Sequence, residues 1–228
     1  MDLGEKAGVL EFSGPDAVRF LNGQVTQDVR KVVGGAEVLP SCVTDAKGKL
    51  QFRVWLAGKD GKVLVFCRGE DKEALEARLT RYLIADDVEV RDVSGAVSVG
   101  DFDFPDAGLS ERERIAKGLP KWGAELKEGM LPPEAGLDAT DISYRKGCYI
   151  GQEVISRIKS AGKVNRRLVK LSFAEEGAEC GDLVNTEGKV CGEVTSVSGT
   201  LGMGYIKRGV LDGETLRAGP VSAQLRDS

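Results

Sequence analysis

The chain has 228 residues, 41% of them hydrophobic, and a formal net charge of −4. That length and apolar fraction suit one large domain or two small ones around an ordinary buried core; no run of about 18 apolar residues offers a membrane-spanning helix. There is no histidine, which excludes Ser-His-Asp and Cys-His catalysis, an imidazole base and His-ligated metals.

Residues 7–13 read as a strand. Ser13 is placed as the cap of a helix that has Pro15 near its first position and ends about Asn22-Gly23. Residues 38–44 and 50–56 read as strands paired about the turn Asp45-Ala46-Lys47-Gly48-Lys49, and residues 62–67 as a third. Residues 71–83 form a helical pattern with Ala74, Leu75, Leu79, Tyr82 and Leu83 along one side. Short strands are expected over 88–93 and 96–99, and strands mixed with helices in this order imply an α+β fold. Residues 101–143 hold Pro105, Pro120, Pro132 and Pro133. They read as long loops of the kind that carry function, with one short helix over 111–117. An amphipathic helix follows Gly151, with Val154, Ile155 and Ile158 apolar and Arg157 and Lys159 charged. Beyond Gly162 come short strands over 166–173, 183–186, 189–196, 203–206 and 221–225, separated by Gly-rich turns. This pattern predicts a small β-barrel or jelly roll. The expected division is an α+β region over 1–162 and a β-barrel over 163–228.

Cysteines occur at Cys42, Cys67, Cys148, Cys180 and Cys191. The odd count and the lack of any Cys-x-x-Cys spacing predict neither a disulfide framework nor a self-contained zinc site. Asp2 and Glu5 make an acidic start without the apolar stretch of a signal peptide, so a cytoplasmic location is expected.

The chemistry concentrates in Lys146-Gly147-Cys148-Tyr149-Ile150-Gly151-Gln152-Glu153. A thiol beside an ammonium, on a glycine-flanked turn at a helix entrance, is biased toward the thiolate. That form attacks electrophiles and binds soft metals. The alternative is a buried structural cysteine. Cys148 has three available roles: nucleophile, transient ligand of iron or an iron–sulfur cluster, or redox group. Clusters take about four thiolates, so one cysteine implies transient contact and no resident metal site. Lys146 either stabilises the thiolate, contacts an anionic tail or is a surface lysine. Tyr149 stacks on a ligand or packs in the core. Gln152 reads a polar edge or caps the helix. Glu153 and Arg157 have the favourable spacing of a helical ion pair, which explains them better than ligand binding. Arg114 positions a carboxylate or braces a loop. Between Arg145 and Lys170 lie eight basic residues and one acid, Glu153. Such an island suggests an anionic partner, either a carboxylate-rich small molecule or RNA, or else a solvated surface. The RNA reading lacks a platform of stacking aromatics.

The Lys-Gly-Cys-Tyr-x-Gly-Gln-Glu string resembles the signature of the YgfZ-type folate-binding proteins, relatives of the glycine-cleavage T-protein (aminomethyltransferase). Four further segments look like family segments in the same order: Phe20 to Asp28, Asp45 to Lys49, Arg114 to Pro120 and Pro133 to Leu137. The resemblance spans roughly residues 8 to 210. It implies a three-lobed T-protein-like fold, with two α+β lobes around a central channel and a C-terminal β-barrel. It also implies a bound tetrahydrofolate or derivative, and a role in iron–sulfur cluster assembly or repair and through it in tRNA modification. Implied partners are the folate and iron–sulfur client or assembly proteins. On this reading Cys148 is the working group with Lys146 beside it, and Tyr149, Gln152, Glu153, Arg157, Arg114 and Glu134 are cofactor-binding candidates. Two positions depart from the family pattern. Gln51-Phe52 stand where aminomethyltransferases carry an acidic pair, so charge stabilisation for one-carbon transfer is missing. Ala116 replaces a glutamate associated with the pterin, leaving Glu134 or Asp138 as substitutes. The expectation is a factor without conventional turnover; the alternative is a folate-dependent aminomethyl-type transferase with an unknown acceptor.

Overall fold

The computed structural model describes residue 3 and residues 6–35, 37–210 and 213–226. In chain order the main elements are β1 (Ala7–Ser13), α1 (Ala17–Gln24), β2 (Leu39–Thr44), β3 (Leu50–Lys59), β4 (Lys62–Arg68), α2 (Lys72–Thr80), β5 (Glu89–Asp92), α3 (Glu111–Lys117), α4 (Gln152–Ala161), β6 (Arg166–Phe173), β7 (Gly181–Asn185), β8 (Val190–Ser198), β9 (Leu201–Lys207), β10 (Leu216–Ala218) and β11 (Val221–Arg226). They fall into two compact units. The first comprises residues 1–107, 128–132 and 137–160, and the second residues 108–127, 133–136 and 161–228.

The first unit is built on an antiparallel sheet of order β2-β3-β4-β1-β5. Successive side chains of a strand point to opposite faces, and here both faces are covered. Leu10, Phe12, Leu56 and Val65 pack with Phe20 and Leu21 of α1 and Leu75 and Leu79 of α2. Their neighbours Val9, Trp55, Leu64 and Phe66 pack on the other face with Phe104. Phe66 meets Phe102 and Phe104 edge-on, with centroids 5.1 and 5.2 Å apart. Burial on both faces explains why these strands read as apolar runs without strict alternation.

Several local expectations need correction. Ser13 ends β1 and does not cap α1. Gly14 has φ of +106°, where a Cβ would lie 2.4 Å from the Asp87 carbonyl oxygen. Asp16 precedes the helix without capping it, because its carboxylate accepts from the Asp87 N–H at 3.0 Å. A 3-10 turn (Gly69–Asp71) leads into α2, which stops at Thr80, leaving Tyr82 47% exposed. Residues 96–98 are not a strand. The Val93 carbonyl accepts from both Ala96 and Val97, and a 3-10 turn follows at Val99–Asp101.

In the second unit six strands close a barrel in the order β10-β11-β6-β9-β8-β7. Its core includes Leu171, Leu183, Val194, Ile206, Leu216 and Ala223. The sequence pattern misses β10, whose three residues are too few to show a period. Pairing with both β7 and β11, it is the strand that completes the closure. Residues 108–127 and 133–136, assigned by the sequence pattern to the α+β region, cluster instead with the barrel. There α3 carries a capping box between Ser110 and Glu113 and ends at Gly118 in the left-handed region.

Two-sided burial makes Phe66→Ala a deep cavity mutation. It should cost about 3–5 kcal/mol in urea unfolding; a loss below about 1 kcal/mol would mean that the second face is not a packed core.

Candidate functional site

Helix α1 ends at Gln24, leaving carbonyls of its last turn without helical donors. The Lys146 side chain supplies a donor to one of them and to two carbonyls just beyond the helix, from about 120 positions away. Its Nζ donates to the carbonyls of Asn22 at 2.5 Å, Val25 at 2.6 Å and Gln27 at 2.9 Å. An ammonium has three N–H donors, and all three are used. The side chain is only 6% exposed and its nitrogen lies 5.1 Å from the centroid of the Tyr149 ring. Burial pushes its pKa down to about 7, with the Asp28 carboxylate opposing and Arg30 adding to the fall. Three acceptors are matched in full only by the charged form. Neither thiolate stabilisation nor contact with an anionic tail fits this geometry: Lys146 is a cross-link between segments, its donors turned inward.

The chain is held on both sides of this lysine. Upstream, Thr26 Oγ1 donates to the Asp141 carbonyl at 2.7 Å, Gln27 Nε2 to the Thr140 carbonyl at 2.9 Å, and the Ser143 N–H to the Thr26 carbonyl at 3.0 Å. Arg53 grips the fully buried Asp141 carboxylate at 2.7 and 3.2 Å, and its guanidinium lies 5.3 Å from the Trp55 ring centroid. Downstream, the Ile150 N–H donates to the Gly23 carbonyl at 3.2 Å, and Thr44 Oγ1 to the Ile150 carbonyl at 2.6 Å. The β2–β3 hairpin is tied by Asp45 Oδ1, which accepts from the N–H groups of Lys47 and Lys49. Its tip lies against Gly151, which has φ of +89°; a Cβ there would stand 2.5 Å from the Asp45 carbonyl oxygen and 2.9 Å from Gly48 Cα. Three of the five segments that carry the family resemblance therefore meet in one place.

Cys148 lies between these anchors and is exposed, whereas Cys42, Cys67 and Cys191 are buried. Burial holds the Cys42 thiol well above its ordinary pKa and pushes Cys67 up to about 12. Exposed Cys180 is also shifted upward, chiefly by burial. One expectation changes: α4 begins at Gln152, four residues past the thiol, so Cys148 stands outside the turn over which the helix dipole acts.

The other candidates divide. Tyr149 is 7% exposed and packs with Ile142 and Ile155. Its buried hydroxyl has no partner among the described residues, and burial raises the phenol pKa. Gln152 is the first residue of α4, and its N–H donates to the Tyr149 carbonyl at 3.2 Å. Glu153 and Arg157 pair with each other at 2.6 Å on an open helix surface, 83% and 72% exposed. Arg114 and Glu134 belong to the barrel unit. All five N–H donors of Arg114 are taken, by Glu111 twice, the Leu119 carbonyl, Glu125 and Ser196. It braces a loop and has nothing left for a ligand. Glu134 is buried and accepts from Arg166 Nε at 3.1 Å. Among the cofactor candidates, then, Arg114, Glu153 and Arg157 are engaged elsewhere and Glu134 is paired, so the six do not fit a folate as one binding set.

Two side chains were missed. Arg78 donates to Gln51 at 2.7 Å, Gln24 at 3.1 Å and the Thr44 carbonyl at 2.8 Å, and burial lowers its pKa. Its position between buried Leu75 and Leu79 was a visible hint. Glu125 is 1% exposed and accepts from Arg114, Thr195 and Ser196; nothing in the sequence marks it. Among the described residues no group of three or more His, Cys, Asp or Glu is placed to hold a metal, and no helix is long and apolar enough to cross a membrane.

Residues 165–227 match the family described as CAF17, C-terminal beta-barrel domain. Over 95% of its length the chain is 26% identical to an aminomethyltransferase of Bacillus subtilis, and over 60% it is 32% identical to an iron–sulfur cluster assembly factor IBA57 homolog, mitochondrial, of Phaeosphaeria nodorum. The chain spans 56% of the first and 33% of the second. The crystal structure of the glycine cleavage system aminomethyltransferase T from Bartonella henselae superposes with a TM-score of 0.78 at 14% identity, covering 97% of this chain and 83% of that one. The chain is thus similar to CAF17-type proteins in its C-terminal barrel and to an aminomethyltransferase over nearly its whole length. It has the T-protein fold with a closed six-stranded barrel at its C-terminal end.

Lys146→Met should cost about 2–4 kcal/mol in urea unfolding at pH 6, because three buried carbonyls lose their donor; an unchanged midpoint would refute the cross-link. The sign of its pH dependence follows from the lowered pKa. Between pH 7 and the ordinary lysine value of 10.5 the unfolded chain binds the extra proton, so stability rises with pH across that window. This part of the rise should vanish in Lys146→Met, and identical slopes in both proteins would contradict the lowered value.

Proposed function

We propose that the protein is a folate-binding factor that supports iron–sulfur cluster assembly or repair, with Cys148 as its working group. The observation that carries this reading is the contrast between a tightly anchored backbone at 146–151 and an exposed thiol within it. A single thiol on a fixed support suits transient ligation. Its Sγ releases a proton and takes one coordination position on the iron of a cluster whose other ligands come from a partner protein. The likeness to proteins named as iron–sulfur cluster assembly factors supports the same class. Client enzymes that thiolate tRNA would then depend on it indirectly, and the cytoplasm is the proposed location.

Tetrahydrofolate is proposed on relationship alone, since the relatives include aminomethyltransferases, and no step is routed through it. Aminomethyl transfer is disfavoured. The Gln51 amide is bound by Arg78, and Phe52 packs against the core, so no carboxylate stands at the corresponding stretch to stabilise developing positive charge.

Cys148→Ala should unfold at the same urea concentration as the parent yet fail to restore activity of a cluster-dependent enzyme in cells lacking the protein. Full rescue would remove the thiol from the mechanism. Tetrahydrofolate should raise the melting temperature, because a ligand that binds only the native state stabilises it; no shift at millimolar ligand would remove the folate.

A further inference from the structure

The basic island of the sequence is not one surface. Its part within residues 145–160 belongs to the sheet unit, where Lys146 is buried, Arg157 pairs with Glu153 and Lys159 pairs with Asp138. Its second part belongs to the barrel unit, and there it gains two more cations from a different strand. Arg166 of β6 is paired in register with Lys207 of β9, and the Arg208 N–H donates to the Asn165 carbonyl at 2.9 Å. These pairings gather Lys163, Arg166, Arg167, Lys207 and Arg208 around one cavity of about 180 Å³.

Among the described residues no carboxylate lines this cavity, although the protein as a whole is acidic. Arg166 reaches away to Glu134 and Glu193, and Lys207 Nζ to the Val190 carbonyl. Lys163 and Arg208 have no side-chain partner among the described residues. Concave crowding of like charge is unfavourable in the free protein and focuses the field on an incoming anion. Gly162 and Gly209 form part of the lining with φ of +60° and +101°, and nothing stands within 4 Å of where a Cβ would be, so the backbone is open to a ligand. A neighbouring cavity shares Arg166 and Lys207 but includes Asp182 and Glu193, which would repel an anion.

We propose that the 180 Å³ cavity binds the phosphate of a small molecule, as a phosphomonoester or a diphosphate. The volume is that of about six waters at ~30 Å³ each, enough for one or two phosphoryl groups. Forked guanidinium donors suit their oxygens. An extended RNA is less well served, because no aromatic residue is among the described residues lining the cavity and the nearby Tyr205 ring is covered by Arg166 at 4.5 Å. The site is independent of the role given to Cys148.

Calorimetric titration of the full chain in 0.15 M KCl tests it, with inorganic diphosphate, glycerol phosphate and citrate as separate probes. Saturable one-to-one binding of either phosphate compound is expected, and the tighter of the two identifies the source. Lys163→Ala and Arg208→Ala should each weaken it about tenfold through loss of a charge-assisted hydrogen bond, while Arg91→Ala, on the sheet unit, leaves it unchanged. A melting curve of each variant without ligand checks that it is folded. The proposal fails if neither phosphate compound saturates, if folded Lys163→Ala and Arg208→Ala bind like the parent, or if citrate binds more tightly than both. Tight, strongly salt-dependent binding of a 12-mer RNA without phosphate-compound binding would assign the surface to nucleic acid instead.

Discussion

One buried ammonium organises the region around Cys148. Lys146 supplies the donors that the end of α1 and the following extended residues lack, with bonds to the carbonyls of Asn22, Val25 and Gln27. Burying a charge is unfavourable unless hydrogen bonds replace its lost hydration. Three carbonyl dipoles and the face of Tyr149 offset part of that cost here, while burial still holds the Lys146 pKa down at about 7. The bond geometry also makes the interaction selective, because a neutral amine has only two donors for three acceptors. The consequence is positional: the backbone two residues before the thiol cannot move without breaking contacts to the N-terminal part of the sheet unit.

The second constraint is steric. Gly151 lets the helix-leading turn approach the hairpin tip to a distance that no Cβ would permit, and Gly48 faces it at φ of +72°, where a Cβ would stand 3.2 Å from the Gly151 carbonyl oxygen. Between these two fixtures only Gly147 and Cys148 are exposed at consecutive positions. The result is a short, rigid presentation of one sulfur atom. Such a site binds little by itself and suits a ligand delivered by another protein. The barrel unit has a different character: its polar interior is a closed network around Glu125 and Arg114, and its concentrated charge lies at the Lys163–Arg208 cavity.

Much of this was legible in the sequence because the signals were local. Five of the six barrel strands, the short helix α3 and the Asp45-to-Lys49 turn follow from short-range pattern. Glu153 and Arg157 were readable as a helical pair from spacing alone. What escaped depended on long-range contact. A lysine two residues from a cysteine looks like a chemical neighbour, and only the fold reveals that its nitrogen turns toward residues 22–27. Arg114 looked equally suited to a ligand or a loop until its five donors were placed. The basic island looked continuous because sequence distance does not record which unit each half joins. Glu125 carried no signal, since its burial depends on Thr195 and Ser196, some 70 positions away.

Hydrogen exchange of the Ser143 and Ile150 amides in the parent, Lys146→Met and Cys148→Ala proteins tests the organising role of Lys146 most directly. Both amides donate to carbonyls of the 23–26 segment. If the ammonium holds the thiol's support in place, Lys146→Met loses at least about tenfold protection at both amides relative to core amides of β4, while Cys148→Ala retains it. Equal protection in all three proteins would contradict the account.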